Sequence, residues 1–152
     1  MNATVEEIKE AIRNSSKTTS VYVGCDSKVA GRGKNKYVKF ATVVILHIDS
    51  KHGGKLFSII ENEPLHQFKN FKSPKHRLMN EAYKAIGIAC SVAEVVEDRP
   101  FEVHLDFNIN AEHKSNTCVK EATGYVLGTL GFEPKYKPNA FAASTAGDRL
   151  VN

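Results

Sequence analysis

Two short β-rich segments each close on an aspartate, Val21-Tyr-Val-Gly-Cys-Asp26 and Phe101-Glu-Val-His-Leu-Asp106. Carboxylates at the carboxyl ends of neighbouring parallel strands open onto one crevice, the place where open α/β sheets gather ligands. Two such groups held close raise each other's pKa and oppose folding, and a bound cation removes that cost. All-oxygen donors of this kind suit Mg²⁺ or Mn²⁺. Glu81 and Asp148 are two further candidates. Glu81 stands about two turns into a helical stripe beside Leu78 and Ala85, and Asp148 follows the small residues Ala142 to Gly147. Small side chains let a helix approach a sheet closely, so an acid on that face reaches the same rim. Four carboxylates can hold two metal ions roughly 4 Å apart, clamping the attacking and leaving oxygens of a phosphodiester.

Taken singly, each acid has an ordinary explanation. An aspartate at a strand end serves as a turn residue or helix cap. Glu81 can pair with Arg77 or Lys84 on a solvated helix face, and Asp148 with Arg149. The weight lies in the arrangement: strand-end Asp, first-long-helix Glu, fourth-strand Asp, last-helix Asp.

The elements that must position these acids follow from hydrophobic period. Thr4 to Arg13 reads as a short helix, with Val5, Ile8, Ala11 and Ile12 at helical spacing. Val21–Asp26, Tyr37–Ile48 and Lys55–Ile60 read as strands, joined by a long hairpin loop, Ser27–Lys36, and by a turn, Asp49–Gly54. Ser73-Pro74 is a helix start, with Ser as cap and Pro at the first position, and an apolar stripe from Leu78 to Val96 continues the helix to about Glu97. Phe101–Asp106 is a fourth strand, and Asn116–Leu130 a helix stopped by Gly131. Phe132–Lys137 is a fifth strand, and Ala140–Val151 a last helix with Asn139 as cap. Hairpin-joined strands pair antiparallel and helix-joined strands parallel. The expectation is an α/β fold with a mixed five-stranded sheet flanked by helices, in a single domain spanning residues 1–152.

The 152 residues, 41% hydrophobic and 25% charged, have an ordinary globular balance. The cysteines, Cys25, Cys90 and Cys118, are odd in number and scattered without a CxxC. This argues against a disulfide framework or zinc site and for a reducing cytoplasm; Cys25 reads as a small core residue. The acidic start is no signal peptide, and the apolar run Ala41–Leu46 is too short to span a bilayer. A net charge of +4 is compatible with a polyanionic partner.

Basic residues gather in three places: Lys28, Arg32, Lys34 and Lys36 in the hairpin loop, Lys135 and Lys137 on one face of the fifth strand, and Lys69, Lys72, Lys75, His76 and Arg77 before the long helix, with Phe68 and Phe71 interleaved. Such groups grip phosphate backbones, although a solvated surface looks the same. His104 shares the strand face of Asp106, where it either orients a ligand, contacts a phosphate or fills the core. Asn108, Asn110 and His113 follow in a polar loop at the expected rim.

The order of elements and acids resembles the RNase H-like superfamily. Val23-Gly-Cys-Asp-Ser27, His104-Leu-Asp-Phe-Asn108 and Lys137-Pro-Asn-Ala-Phe-Ala-Ala143 followed by Asp148 more closely resemble the YkuK-type family of predicted RNase H-related nucleases. The resemblance runs from about Val21 to Leu150. It implies an RNase H-like fold, with Asp26, Glu81, Asp106 and Asp148 matching the four acids in order, Glu81 through its helix alone. The function expected is a metal-dependent nuclease acting on RNA, in a hybrid or structured duplex, or on DNA, with a Holliday-junction resolvase close by on the same fold. The competing class is a non-catalytic nucleic-acid-binding or interaction protein. An actin-like ATPase or sugar kinase would need paired lobes and a phosphate loop, and a serine hydrolase a GxSxG, all missing from the sequence.

Overall fold

A computed structural model describes residues 2–51, 53–65, 74–107, 117–137 and 139–152; for residues 74, 75, 117, 118, 143, 144 and 148 only the backbone is described. Helix α1 (Val5–Arg13) starts on Thr4, whose hydroxyl accepts from Glu7 N at 3.1 Å, and carries acids in its first turn and Arg13 in its last. It buries Ile8 and Ile12. Strands β1 (Ser20–Ala30), β2 (Tyr37–His47) and β3 (Gly54–Pro64) form an antiparallel meander. Helix α2 (Pro74–Val96) then crosses over to β4 (Phe101–His104), which pairs parallel with β1. The sheet order is β3-β2-β1-β4. Helix α3 (Thr117–Leu130) ends on Gly131 as expected, in the left-handed conformation (φ 82°) with its N–H on Leu127 O.

The first strand is longer than its apolar stretch suggested. β1 continues through Ser27 to Ala30 because each residue finds a β2 partner, Val29 opposite Val38 and Ala30 opposite Tyr37. The loop shrinks to Gly31–Lys36, closed at Gly31 (φ 85°), where a Cβ would sit 2.5 Å from Asn35 O.

The expected fifth strand is corrected by the structure: among the described residues the sheet has four strands, and Lys135 adds one isolated parallel bridge to His104. Lys135 N donates to Val103 O and Leu105 N to Lys135 O. A regular ladder would send Lys137 N to Leu105 O, but it reaches Phe107 O instead, two residues further along. The last helix is also modified. Its chain runs as a π-helical segment, Ala142–Gly147, before a short α4 (Asp148–Val151).

The main core lies between the sheet and α1 with α2. Val21, Val23 and Cys25 meet Ala82, Ile86 and Ala89, and Val103 and Leu105 extend the same face. Arg99, which reads in sequence only as part of a helix break, is 5% exposed. Its guanidinium donates to Val95 O and Val96 O at the end of α2 and to Ser15 O and Ser16 O before β1, joining the two ends. At the outer edge of β3, Ala3 N donates to Ser58 O, and the Asn2 amide both accepts from Ile60 N and donates to Ile60 O.

Two substitutions test this packing by urea unfolding. Ile86→Ala should cost about 2–5 kcal/mol through reduced burial and a residual cavity. Gly87, exposed and with nothing within 4 Å of an added Cβ, should gain about 0.5–1 kcal/mol as Gly87→Ala. A loss at Gly87 would mean that this face of α2 is covered.

Candidate metal centre

The parallel register of β1 and β4 pairs Gly24 with His104. Two residues further along each chain stand Asp26 and Asp106, so the register brings the two aspartates level on one face of the sheet. On the other face Ser27 points at α2, where Ser27 Oγ donates to Glu81 Oε2 at 2.5 Å, while Ser27 N donates to Asp26 Oδ1 at 2.8 Å. One serine therefore fixes two acids. Asp26, Glu81 and Asp106 each offer an oxygen within 4.8 Å of the others. Lys84 does not pair with Glu81: its ammonium goes to Glu63 at 2.7 Å and Glu61 at 3.3 Å, and lies over the Phe40 ring.

This is an unfavourable place for negative charge alone. Asp26 and Glu81 are 8% and 6% exposed, and Glu81 Oε1 is buried with no hydrogen-bond partner among the described residues. Burial first, then the charges of Asp26 and Asp106, push the Glu81 carboxyl well above its ordinary value, against the Ser27 hydrogen bond and the Arg77 charge. A divalent ion answers all of these at once: it satisfies the orphaned oxygen, neutralises the mutual repulsion and prefers carboxylate oxygen. Asp26, Glu81 and Asp106 thus fit a site for a divalent metal ion.

The other candidate residues divide. The backbone places Asp148 at the start of α4, directly after Gly147; an added Cβ on Gly147 would lie 3.0 Å from Asp26 Cβ. The small-residue segment does approach β1 closely, and the Asp148 side chain lies outside the described residues. Asn108 lies outside them too, as do Asn110, His113, Ser73, Pro138 and most of the basic group before α2. Lys28 belongs to β1, on the face of Asp26, and donates to Asn152 Oδ1 at 2.7 Å. Arg32, Lys34 and Lys36 are exposed at the hairpin tip. Lys137 Nζ stands 2.9 Å from Asp106 Oδ1.

His104, expected either at the rim or in the core, lies in the interior. It is fully buried, stacked on Tyr22 at 5.2 Å and met edge-on by Phe141 at 4.7 Å. Nδ1 accepts from Ala142 N at 3.1 Å, so Nε2 carries the proton and donates to Glu102 Oε1 at 2.9 Å. Burial lowers its pKa against the pull of Glu102. The neutral ring pins the π-helical segment, and hence Gly147, to the sheet. Ser27 and Glu102 are contributors that the motifs alone do not single out. Alternation is the available signal, since Glu102, His104 and Asp106 share one strand face and Ser27 takes the face opposite Asp26. Cys25, beside Asp26, is a core residue: burial pushes its thiol up, and Thr42 donates to its sulfur.

The family profile for ribonuclease H-like proteins matches residues 3–152. The chain belongs to the ribonuclease H-like family. Searches of curated proteins and of solved structures found no match. Ribonuclease H-like nucleases use divalent metals, in keeping with the three acids gathered here, and the mixed sheet flanked by helices agrees with the family fold. No helix among the described residues is long and apolar enough to cross a membrane.

The raised Glu81 value has a definite sign in thermodynamics. The folded, metal-free chain keeps a proton there that the unfolded chain releases, so this group's contribution to stability is lost as pH rises from the ordinary carboxylate range through the raised value. Glu81→Gln keeps the Ser27 hydrogen bond without the charge. Its stability advantage over wild type in EDTA should therefore widen from near zero at pH 4 to about 1–3 kcal/mol at pH 8. Mn²⁺ affinity of the wild type should rise across the same window as the proton is displaced, and the thermal shift given by Mn²⁺ should largely vanish in the variant. An advantage that shrinks with rising pH would contradict this electrostatic picture.

Proposed function

We propose that this ribonuclease H-like chain is a divalent-metal-dependent nuclease that hydrolyses phosphodiester bonds in RNA, within a hybrid or structured duplex, or in DNA. The observation that carries the reading is the buried meeting of Asp26, Glu81 and Asp106, with one Glu81 oxygen left unsatisfied. A fold that spends stability on three converging carboxylates has a use for the cation they attract. When bound, Mg²⁺ or Mn²⁺ supplies Lewis-acid activation of water and neutralises charge on the leaving oxygen.

The chain's own residues do the rest. Asp26, Glu81 and Asp106 serve as ligands, and Ser27 orients the first two. Asp148 serves as the fourth acid, the one that allows a second ion; its support is the close seating of Gly147 against Asp26. The exposed cations of the hairpin, Lys28, Arg32, Lys34 and Lys36, hold the phosphate backbone. RNA in a hybrid or structured duplex is favoured by fold analogy. The setting is a reducing cytoplasm, in keeping with a buried, protonated Cys25.

The test is cleavage of a labelled panel comprising RNA–DNA hybrid, single strands, duplexes and a four-way junction, with Mg²⁺, Mn²⁺ or EDTA. Metal-dependent cleavage that falls at least about a hundred-fold in Asp106→Asn supports the proposal. No cleavage of any substrate by the wild type removes it and favours a binding protein on the same fold, and cleavage that persists in EDTA removes the metal-dependent mechanism. Preference for the junction would redirect the assignment to a resolvase. In the same system, replacing Arg32, Lys34 and Lys36 by Ala should weaken binding and flatten its salt dependence by roughly one unit of slope for each phosphate no longer held.

A further inference from the structure

The acid cluster already has a cation in contact with it. Asp106 Oδ1 is buried and, apart from the Lys137 ammonium at 2.9 Å, has no hydrogen-bond partner among the described residues. The backbone delivers the lysine to this spot: the bridge between His104 and Lys135 sets residue 137 beside Asp106, two residues further along each chain, and the bond from Lys137 N to Phe107 O keeps the segment against the end of β4. The Lys137 side chain remains 42% exposed, against 15% for Asp106. The lysine therefore has solvent to move into and the aspartate does not.

We propose that Lys137 is the resident counter-cation of the cluster: its ammonium occupies Asp106 while no metal is bound, must leave Asp106 before a divalent ion is fully seated, and thereby sets the metal concentration at which the centre loads. The proposal rests on the reading of Asp26, Glu81 and Asp106 as a metal centre. Its physical basis is competition for one oxygen. Three acids converging at a buried point oppose folding, and a lysine on the adjoining chain relieves part of that repulsion without any ligand. A divalent ion arriving at the same oxygens must displace that ion pair as well as meet the charge of the ammonium. Lys137 is thus a positioning residue for metal loading. Its displacement also leaves a cation at the rim only after the metal is in place.

The experiment measures Mn²⁺ binding by electron paramagnetic resonance and calorimetry, together with the metal-free melting temperature at pH 8. The proteins are wild type and Lys137→Met, Lys137→Gln, Lys137→Arg and Lys135→Met; Lys135 is exposed and lies on the same chain edge. Lys137→Met and Lys137→Gln should bind Mn²⁺ about ten- to a hundred-fold more tightly than wild type and melt lower without metal. Lys137→Arg should stay close to wild type in both, and Lys135→Met should shift affinity by no more than about three-fold. Unchanged affinity in both neutral Lys137 variants overturns the proposal, and so does an equal gain in Lys135→Met. If none of the proteins binds Mn²⁺, the metal centre falls with it. Binding in the expected order, with no cleavage of any nucleic acid, leaves the counter-cation role standing and removes the nuclease reading alone.

Discussion

The parallel pairing of β1 with β4 is the constraint on which the rest of the structure depends. Its register, Gly24 opposite His104, determines that Asp26 and Asp106 stand level and on one face. A slip of one residue along β4 would turn Asp106 to the α2 side and send Val103, a core residue, out of it. Burial of Val21, Val23, Val103 and Leu105 against one side of the sheet makes that slip costly. On the other side, the Tyr22–His104 stack locks the same register through aromatic contact. The acids are thus positioned by apolar side chains that never touch them.

Around this frame the molecule distributes the cost of concentrated negative charge. Ser27 gives one hydrogen bond to each of two acids, Lys137 supplies a positive charge to the third, and burial holds the Glu81 carboxyl well above its ordinary pKa. Each device is partial, and Glu81 Oε1 remains without a partner among the described residues. A pocket left incomplete in this way is less stable than a fully paired one, and it responds to a cation in a way that a fully paired one does not.

Much of this is legible in the sequence, for identifiable reasons. Strong period and clear punctuation make the element order readable: Thr4 before α1, Pro74 at the start of α2, Gly131 after α3. The two strand aspartates stand out because an acid closes an otherwise apolar run, and Glu81 because it flanks a buried helical stripe. Less legible are features decided by pairing between distant segments. The extension of β1 to Ala30 depends on partners in β2, since Ser27-Lys28 has no β signal of its own. The reduction of the fifth strand to one bridge depends on a hydrogen bond between Lys137 and Phe107 that no local pattern encodes. His104 suits the rim and the core equally by its position in the strand, and its interior role follows from Ala142 and Glu102 meeting its two nitrogens.

The small contacts at the chain's first residues bear on a different matter, the behaviour of the protein in concentrated solution. Among the described residues β3 is an edge strand of 11 residues, and such an edge is a template on which another chain can add a strand. Asn2 covers its middle by imitating a peptide unit, its side-chain amide giving and taking one hydrogen bond at Ile60 as a neighbouring strand would, while Ala3 closes Ser58. Two residues therefore interrupt the run of open donors and acceptors and leave too little free length on either side for a strand of ordinary size to dock. The guard on this edge is an asparagine remote from the chemistry, and deamidation of Asn2, which exchanges a donor for a negative charge, would reopen the middle of the strand without disturbing the acids.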